Sequence, residues 1–270
     1  MRRFAQKFAV LTAFRFTRRG TVLNGVLFPA KSSDTVVIAI TGIHGNFYSN
    51  PFYYNIGDTL SAAGIDFIYA QTNDAFGEIE TYNAKTGEKE LIGSWNERFS
   101  YTDEDIDAYL DFAEKNYRNV ILAGHSLGAN KVIYYLAHHH DKKRVKKFIL
   151  MSPANLTHMM SGVSDGERDF VEKLVRYGRG DKILPFYFMG WVLCTANTAH
   201  DWLSGILNNV HTDYFTDGDP SRFLKNINSH MKTAEKNKLI FIEKTGHTYQ
   251  QKHAEIATVI KNLALEWHSE

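Results

Sequence analysis

Five residues, Gly124-His125-Ser126-Leu127-Gly128, constrain this chain more than any others. They lie between an apolar run that reads as a strand, Asn119-Val120-Ile121-Leu122-Ala123, and one that reads as a helix, Ala129 to Leu136. A serine raised on so abrupt a strand-to-helix turn needs a strained backbone angle. The strand and helix close on each other only if the residues two before and two after the serine lack a side chain. Gly124 and Gly128 meet that need. The turn makes Ser126 a candidate nucleophile, and the helix behind it aims unpaired N–H groups at any negative charge forming near the hydroxyl. The side chain of His125 should point away from that of Ser126 and support the turn.

Around this turn the apolar pattern alternates between strand and helix. Strands are expected at 35–40, 66–71, 119–123, 147–152 and 238–243, and helices at 55–63, 102–115, after Ser126, and at 254–265. Such alternation implies a parallel sheet covered by helices. Upstream, apolar residues alternate through Phe8, Val10, Thr12, Phe14 and Phe16 and face a second run, 21–28, across a turn at Arg19-Gly20, which reads as a hairpin. The expectation is an α/β fold with a mostly parallel twisted sheet, an N-terminal hairpin, helices on both faces and a cap insert at about 155–210. With 270 residues and 44% hydrophobic content, one domain over 1–270 is enough to bury the core. The run 184–193, LPFYFMGWVL, supplies a dense apolar wall in the insert, either facing an acyl or aromatic group or only packing the insert on the sheet. The charged tract 77–93 reads as an exposed loop.

Lys plus Arg number 31 against 30 for Asp plus Glu, a formal charge of +1 that offers no general field for nucleic acid or an anionic membrane. The single cysteine, Cys194, excludes an intrachain disulfide and a cysteine cluster for zinc, and reads as a small buried hydrophobe. It is compatible with a reducing compartment, and a cytoplasmic location is expected. Arg2 and Arg3 give the start a superficial likeness to a secretory signal, but Lys7 and Arg15 interrupt the apolar run. No apolar run approaches the roughly 20 residues of a membrane span. The adjacent histidines His138, His139 and His140 are poorly placed to ligate one metal and read as a cationic helix end. No cofactor or metal is expected.

The strand order, the G-x-S-x-G turn and a late Gly246-His247 together resemble the α/β-hydrolase superfamily over essentially the whole chain. The stretches 45–51, GNFYSNP, and 124–131, GHSLGANK, are similar to esterase-like members that include siderophore esterases, and no substrate is carried over from that likeness. The resemblance implies that His247, on a loop just after a late strand, is the base for Ser126. It also implies a carboxylate between serine and histidine. The stretch in the usual place, 209–220, makes a poor buried strand and offers Asp217 and Asp219, in a sequence that equally reads as a turn. Residues 221–236 would form the intervening helix. Asp165, Glu167 and Asp169 are outer candidates. For the oxyanion, the resemblance implies the backbone N–H of Leu127 and one from the loop after 36–40, where Thr41-Gly42-Ile43 stands in the place of a His-Gly-X motif. Ile43 is the preferred donor, and reading His44-Gly45-Asn46 as the motif would move it to Asn46.

The expected activity is a serine hydrolase that cleaves a carboxylic ester of a small molecule through an acyl-enzyme on Ser126. A thioesterase or acyltransferase would use the same chemistry. A non-catalytic ligand-binding protein on this fold is the alternative of a different class, and fold alone does not choose between them.

Overall fold

The computed structural model describes residues 9–11, 16–139, 144–204, 219–231 and 236–268. Along the chain the elements are β1 (Ala9–Leu11), β2 (Gly25–Phe28), β3 (Thr35–Ile40), α1 (Phe52–Ala62), β4 (Asp66–Ala70), β5 (Ile79–Tyr82), β6 (Lys89–Ile92), α2 (Thr102–Asn116) and β7 (Asn119–His125). They continue with α3 (Leu127–His138), β8 (Lys147–Met151), α4 (Leu156–Ser161), α5 (Asp165–Arg176), α6 (Ala196–Leu203), α7 (Pro220–His230) and α8 (His253–His268).

Six strands form one sheet in the order β1-β2-β4-β3-β7-β8. The four at the β8 side, β4, β3, β7 and β8, run parallel, and β2 pairs antiparallel with both β1 and β4. The parallel part is covered on both faces, so β3 is apolar nearly throughout and fully buried, instead of alternating. Its Val37 and Ala39 face a core completed by Phe52, Ile56 and Leu60 of α1 and by Ile256 and Ile260 of α8. Its Val36, Ile38 and Ile40 face the opposite core, closed by Ile106 and Leu110 of α2 and Val132 and Tyr135 of α3. This is the arrangement that the resemblance to the α/β-hydrolases implies, with the hairpin at its antiparallel end. The hairpin turns where Gly20 takes φ 102°, closed by Thr17 and Thr21.

Two expectations are corrected. The tract 77–93 contains a two-stranded antiparallel hairpin, with Ile79 opposite Ile92 and Tyr82 opposite Lys89. Charged residues obscured its alternation, since only Thr81 and Ile92 of the two strands are buried. The strand expected at 238–243 is not formed. That segment makes no ladder in the sheet, and without one Leu239, Ile240 and Phe241 stay partly exposed while Ile242 packs on the α1–α8 core.

Beyond β8, the segment from Leu156 to Trp202 builds a separate core. Leu156, Met160, Val171, Leu184, Phe188, Val192, Ala199 and Trp202 pack on Leu127 and Tyr134 of α3 and on Phe99. It is tied down by Arg98, which grips Asp201 through Nε at 2.9 Å and Nη2 at 3.2 Å, and by the Thr195 N–H donating to the Trp95 carbonyl at 2.8 Å.

Because Ile38 lies at the centre of the sheet with no exposed surface, Ile38→Ala leaves a cavity that neither face can fill. A loss of about 2–5 kcal/mol in urea unfolding is expected, with the slope against denaturant unchanged.

Candidate active site

Strand β7 ends at His125 and α3 begins at Leu127, leaving Ser126 alone in the bend at φ 56° and ψ −128°. A non-glycine residue there carries strain of order 1–3 kcal/mol, which its surroundings must hold in place. The Ser126 N–H donates to the Met151 carbonyl at 3.0 Å, and the Ser126 carbonyl accepts from the Ala129 N–H at 3.0 Å. A Cβ on Gly124 would overlap the Gly128 carbonyl, and one on Gly128 would overlap the carbonyls of Ile40 and Thr41. A Cβ on Gly42 would lie 2.8 Å from that of Ser126. The bend therefore exists only because three neighbouring backbones come closer than any side chain permits.

The Ser126 Oγ lies 2.8 Å from the Nε2 of His247, with the hydroxyl placed to donate to the imidazole. The His247 ring is exposed at the mouth of a cavity yet partly desolvated, and this burial lowers its pKa below the ordinary histidine value. It is thus predominantly neutral near pH 7 and able to take a proton. His125 turns away from the serine hydroxyl and donates from Nε2 to the carbonyl of His247 at 2.8 Å. Its ring is buried against Phe52 and Tyr53, which pushes its pKa down to about 4. The same loop is fastened again by Tyr249, whose hydroxyl pairs with Ser152 Oγ at 2.8 Å. Lys244, Tyr249 and Gln251 all have positive φ, so this loop holds a strained path.

Leu127 is the first residue of α3, where an N–H has no intrahelical acceptor. The Ile43 N–H makes no hydrogen bond to another described residue, whereas the Asn46 N–H donates to Ser49 Oγ at 3.1 Å. Ile43, Leu127, Ser126 and His247 line one cavity of about 520 Å³. Met159, Trp191, Trp202 and Phe223 also line it, and among the described residues no Lys, Arg, Asp or Glu does. Pro153 and Ala154 on its rim are held by buried Asn130, which donates to the Ala154 carbonyl at 2.9 Å and accepts from its N–H at 2.8 Å.

None of the candidate carboxylates among the described residues lines this cavity. Asp219 caps α7, its Oδ1 accepting from Ser221 N–H at 2.9 Å and Arg222 N–H at 3.4 Å. Asp217 lies outside the described residues. Asp165 starts α5, Glu167 forms a capping box with Ser164, and Asp169 pairs with Lys173 at 2.6 Å. Among the described residues no carboxylate hydrogen-bonds the His247 ring. Cys194 is fully buried, which pushes its thiol up to about 12. His139 lies 3.2 Å from Asp103, and His140 is outside the described residues. No group that could hold a metal occurs among the described residues.

One feature behind the bend escaped the chain pattern. Lys131, one turn into α3, is buried with its Nζ 2.8 Å from Asp74 and also paired with Glu97, all three at most 2% exposed. Burial alone would discharge the lysine, but Asp74 and Glu97 hold its pKa above the usual value. Burial first, and then Asp74, push the Glu97 carboxyl up from 4.5 to about 8. The Asp74 carbonyl also accepts from the His44 N–H at 3.1 Å, which links the cluster to the loop carrying Ile43.

Removing the lysine leaves buried carboxylates without a counter-charge, so Lys131→Met is expected to cost about 3–5 kcal/mol in denaturant unfolding. Since Glu97 has a folded pKa above its unfolded one, its contribution is full below about 4.5 and is lost as pH rises through about 8. Thermal unfolding across that window should show Glu97→Gln flattening the decline seen in the wild type.

Comparisons with known proteins agree with this architecture. A structure of Est1E from Butyrivibrio proteoclasticus with ferulic acid bound is 16% identical, covers 96% of this chain and 100% of its own, and superposes with a TM-score of 0.67. A soluble variant of monoglyceride lipase from Saccharomyces cerevisiae, in complex with a substrate analogue, is 14% identical, with coverage of 96% and 98% and a TM-score of 0.55. The esterase EaEST from Exiguobacterium antarcticum is 16% identical, with coverage of 94% and 99% and a TM-score of 0.54. No curated protein gives a significant sequence match. At these identities the likeness is one of fold. A protein-family model matches residues 11–257, and the chain, an α/β-hydrolase by fold, therefore belongs to the family described as "Protein of unknown function (DUF1749)".

Proposed function

We propose that this protein is a serine hydrolase acting on carboxylic esters of small molecules. The observation that carries the proposal is the 2.8 Å approach of Ser126 Oγ to the His247 Nε2, on a strained bend that faces a cavity. In this reading His247 takes the Ser126 proton as the hydroxyl attacks the ester carbonyl, then returns it to the leaving alcohol. The N–H groups of Leu127 and Ile43 receive the oxyanion, a contribution of about 3–4 kcal/mol each. Water activated by the same imidazole then releases the acyl group. The insert at about 155–210 acts as a cap, and its Trp191 and Trp202 shape the cavity for an uncharged, apolar acyl or alcohol group, since among the described residues the lining holds no carboxylate, lysine or arginine to pair with a charge. The esterases and lipases among the structural neighbours favour an ester over other acyl substrates. The single cysteine fits a cytoplasmic setting, and no helix among the described residues is long and apolar enough to cross a membrane.

Asp219 or Asp217 would orient His247 by accepting from its other nitrogen. A non-catalytic binding role is the second reading, motivated by the absence of a carboxylate on the His247 ring among the described residues. Loss of a triad acid slows such enzymes by about 10⁴-fold, so the two readings differ measurably.

Labelling by a fluorophosphonate probe is expected for the wild type and not for Ser126→Ala, with turnover of short-chain nitrophenyl esters following the same pattern. A wild type that does not label sinks the hydrolase reading. Because the His247 pKa is lowered and the neutral form is the active one, the labelling rate should rise with pH through a midpoint below 6.5 and then stay level toward neutrality.

For the acid, Asp219→Asn preserves the helix cap, because asparagine caps as well as aspartate. A large loss of kcat in Asp219→Asn at unchanged Tm identifies Asp219, the same loss in Asp217→Asn identifies Asp217, and two near-normal rates eliminate both.

A further inference from the structure

The two amides assigned to the oxyanion come from different parts of the chain, one at the head of α3 and one on the loop after β3. The glycine contacts at 42, 124 and 128 set how close those parts lie. They do not set how the Ile43 peptide is turned, and an amide donates well only when its N–H is aimed at the oxygen.

That peptide is held from both sides. In a planar trans peptide the C=O and N–H point in opposite directions. The Gly42 carbonyl accepts from the Gly45 N–H at 2.8 Å and from Thr41 Oγ1 at 3.2 Å, so the Ile43 N–H of the same unit faces the other way. A Cβ on Gly42 would lie 3.3 Å from Ser126 Oγ, which places this unit beside the nucleophile. The next unit, Ile43–His44, is held by its N–H, which donates to the Asp74 carbonyl at 3.1 Å. His44 takes φ 56° there, an angle that a histidine keeps only under restraint.

Asp74 can supply the restraint because it is itself fixed. It belongs to a buried turn after β4, closed by the Ala75 N–H donating to the Thr72 carbonyl at 3.1 Å. The Thr72 hydroxyl donates to Asp74 Oδ1, and the Asn73 N–H donates to Asp105 Oδ2 of α2 at 2.9 Å. The same Asp74 Oδ1 lies 2.8 Å from Nζ of Lys131, one turn behind Leu127 on α3. One residue thus grips both carriers of the oxyanion donors, α3 through its carboxylate and the loop through its main chain.

We propose that Asp74 is a positioning residue that sets the angle between the Leu127 and Ile43 amides. The inference rests on the reading of Ser126 as nucleophile and of those two amides as donors. Asp74 does not line the cavity, so its effect falls on the state in which negative charge has formed on the oxygen and not on substrate binding.

The test is kinetic, with a short-chain nitrophenyl ester and a trifluoromethyl ketone of matching chain. Ser126 adds to that ketone: the Oγ–C bond forms, the carbonyl pair moves onto oxygen as an oxyanion, and the hydroxyl proton goes to His247. Asp74→Ala is expected to lower kcat about 10- to 100-fold at unchanged KM, since losing a donor outright costs about 10²–10³. Ketone inhibition should weaken by the same factor. Thr72→Val keeps the shape and removes only the hydroxyl that orients Asp74, and it should give a smaller loss of the same kind. Ile260→Val in α8 is the control, a buried change that destabilises without touching the loop and should keep kcat. A folded Asp74→Ala with wild-type kcat and ketone inhibition overturns the proposal, and where Asp74→Ala does not fold, wild-type behaviour of Thr72→Val does so. A loss carried by KM, or an equal loss in Ile260→Val, overturns it as well. A wild type that neither labels with fluorophosphonate nor binds the ketone removes the hydrolase reading and this inference with it, whereas a labelled wild type beside normal Asp74 and Thr72 variants removes this inference alone.

Discussion

The arrangement depends on a backbone contact that tolerates no side chain. Helix α3 reaches β7 and β3 closely enough to leave Ser126 in the bend because residues 124, 128 and 42 are glycines. Were α3 displaced by the width of a methyl group, Ser126 could relax to an ordinary backbone angle and its hydroxyl would no longer stand at the end of the sheet. The first amide of α3 and the loop carrying Ile43 would also separate. The close approach thus fixes the hydroxyl and both amides at once.

Such an approach needs an anchor on the far side, and buried charge supplies it. Lys131 ties α3 to Asp74, which follows β4, and to Glu97, which precedes α2. Ion pairs of this kind rarely add net stability over a well-packed apolar core, and their value lies in specifying one arrangement. Three segments distant in the chain share a single ammonium group, so α3 cannot slide along the sheet without stranding a charge. The Glu97 carboxyl, pushed to hold its proton longer, shows what burying two acids around one lysine costs.

Legibility in the sequence followed how local each signal was. Ser126 and His247 were readable because each lies in a short pattern, a glycine-flanked bend after an apolar strand and a Gly-His after a late apolar run, and folding brings them 2.8 Å apart. The Leu127 and Ile43 amides are suggested by the same bend, and among the described residues the Asn46 N–H is engaged by Ser49 while the Ile43 N–H makes no hydrogen bond. The Lys131 cluster was opaque, since Asp74 and Glu97 sit in stretches with no pattern of their own and only topology joins them. The 77–93 hairpin was hidden by charge. The run 184–193 looks like one apolar wall in the sequence, because which of its residues face inward depends on a pairing that composition does not reveal. The carboxylate was the hardest, since Asp217 and Asp219 occur in a sequence that spells a turn, and Asp219 does cap a helix.

The contact between His125 and the His247 carbonyl has a mechanical consequence. Ser126 is bonded to His125 through one peptide link, and His247 is carried on the carbonyl that the His125 ring grips. A displacement of the end of β7, from thermal bending of the sheet or pressure on α3, therefore moves hydroxyl and imidazole in the same direction. The separation between them is insulated from motions that shift each one, much as two instruments bolted to one plate keep their alignment while the plate vibrates.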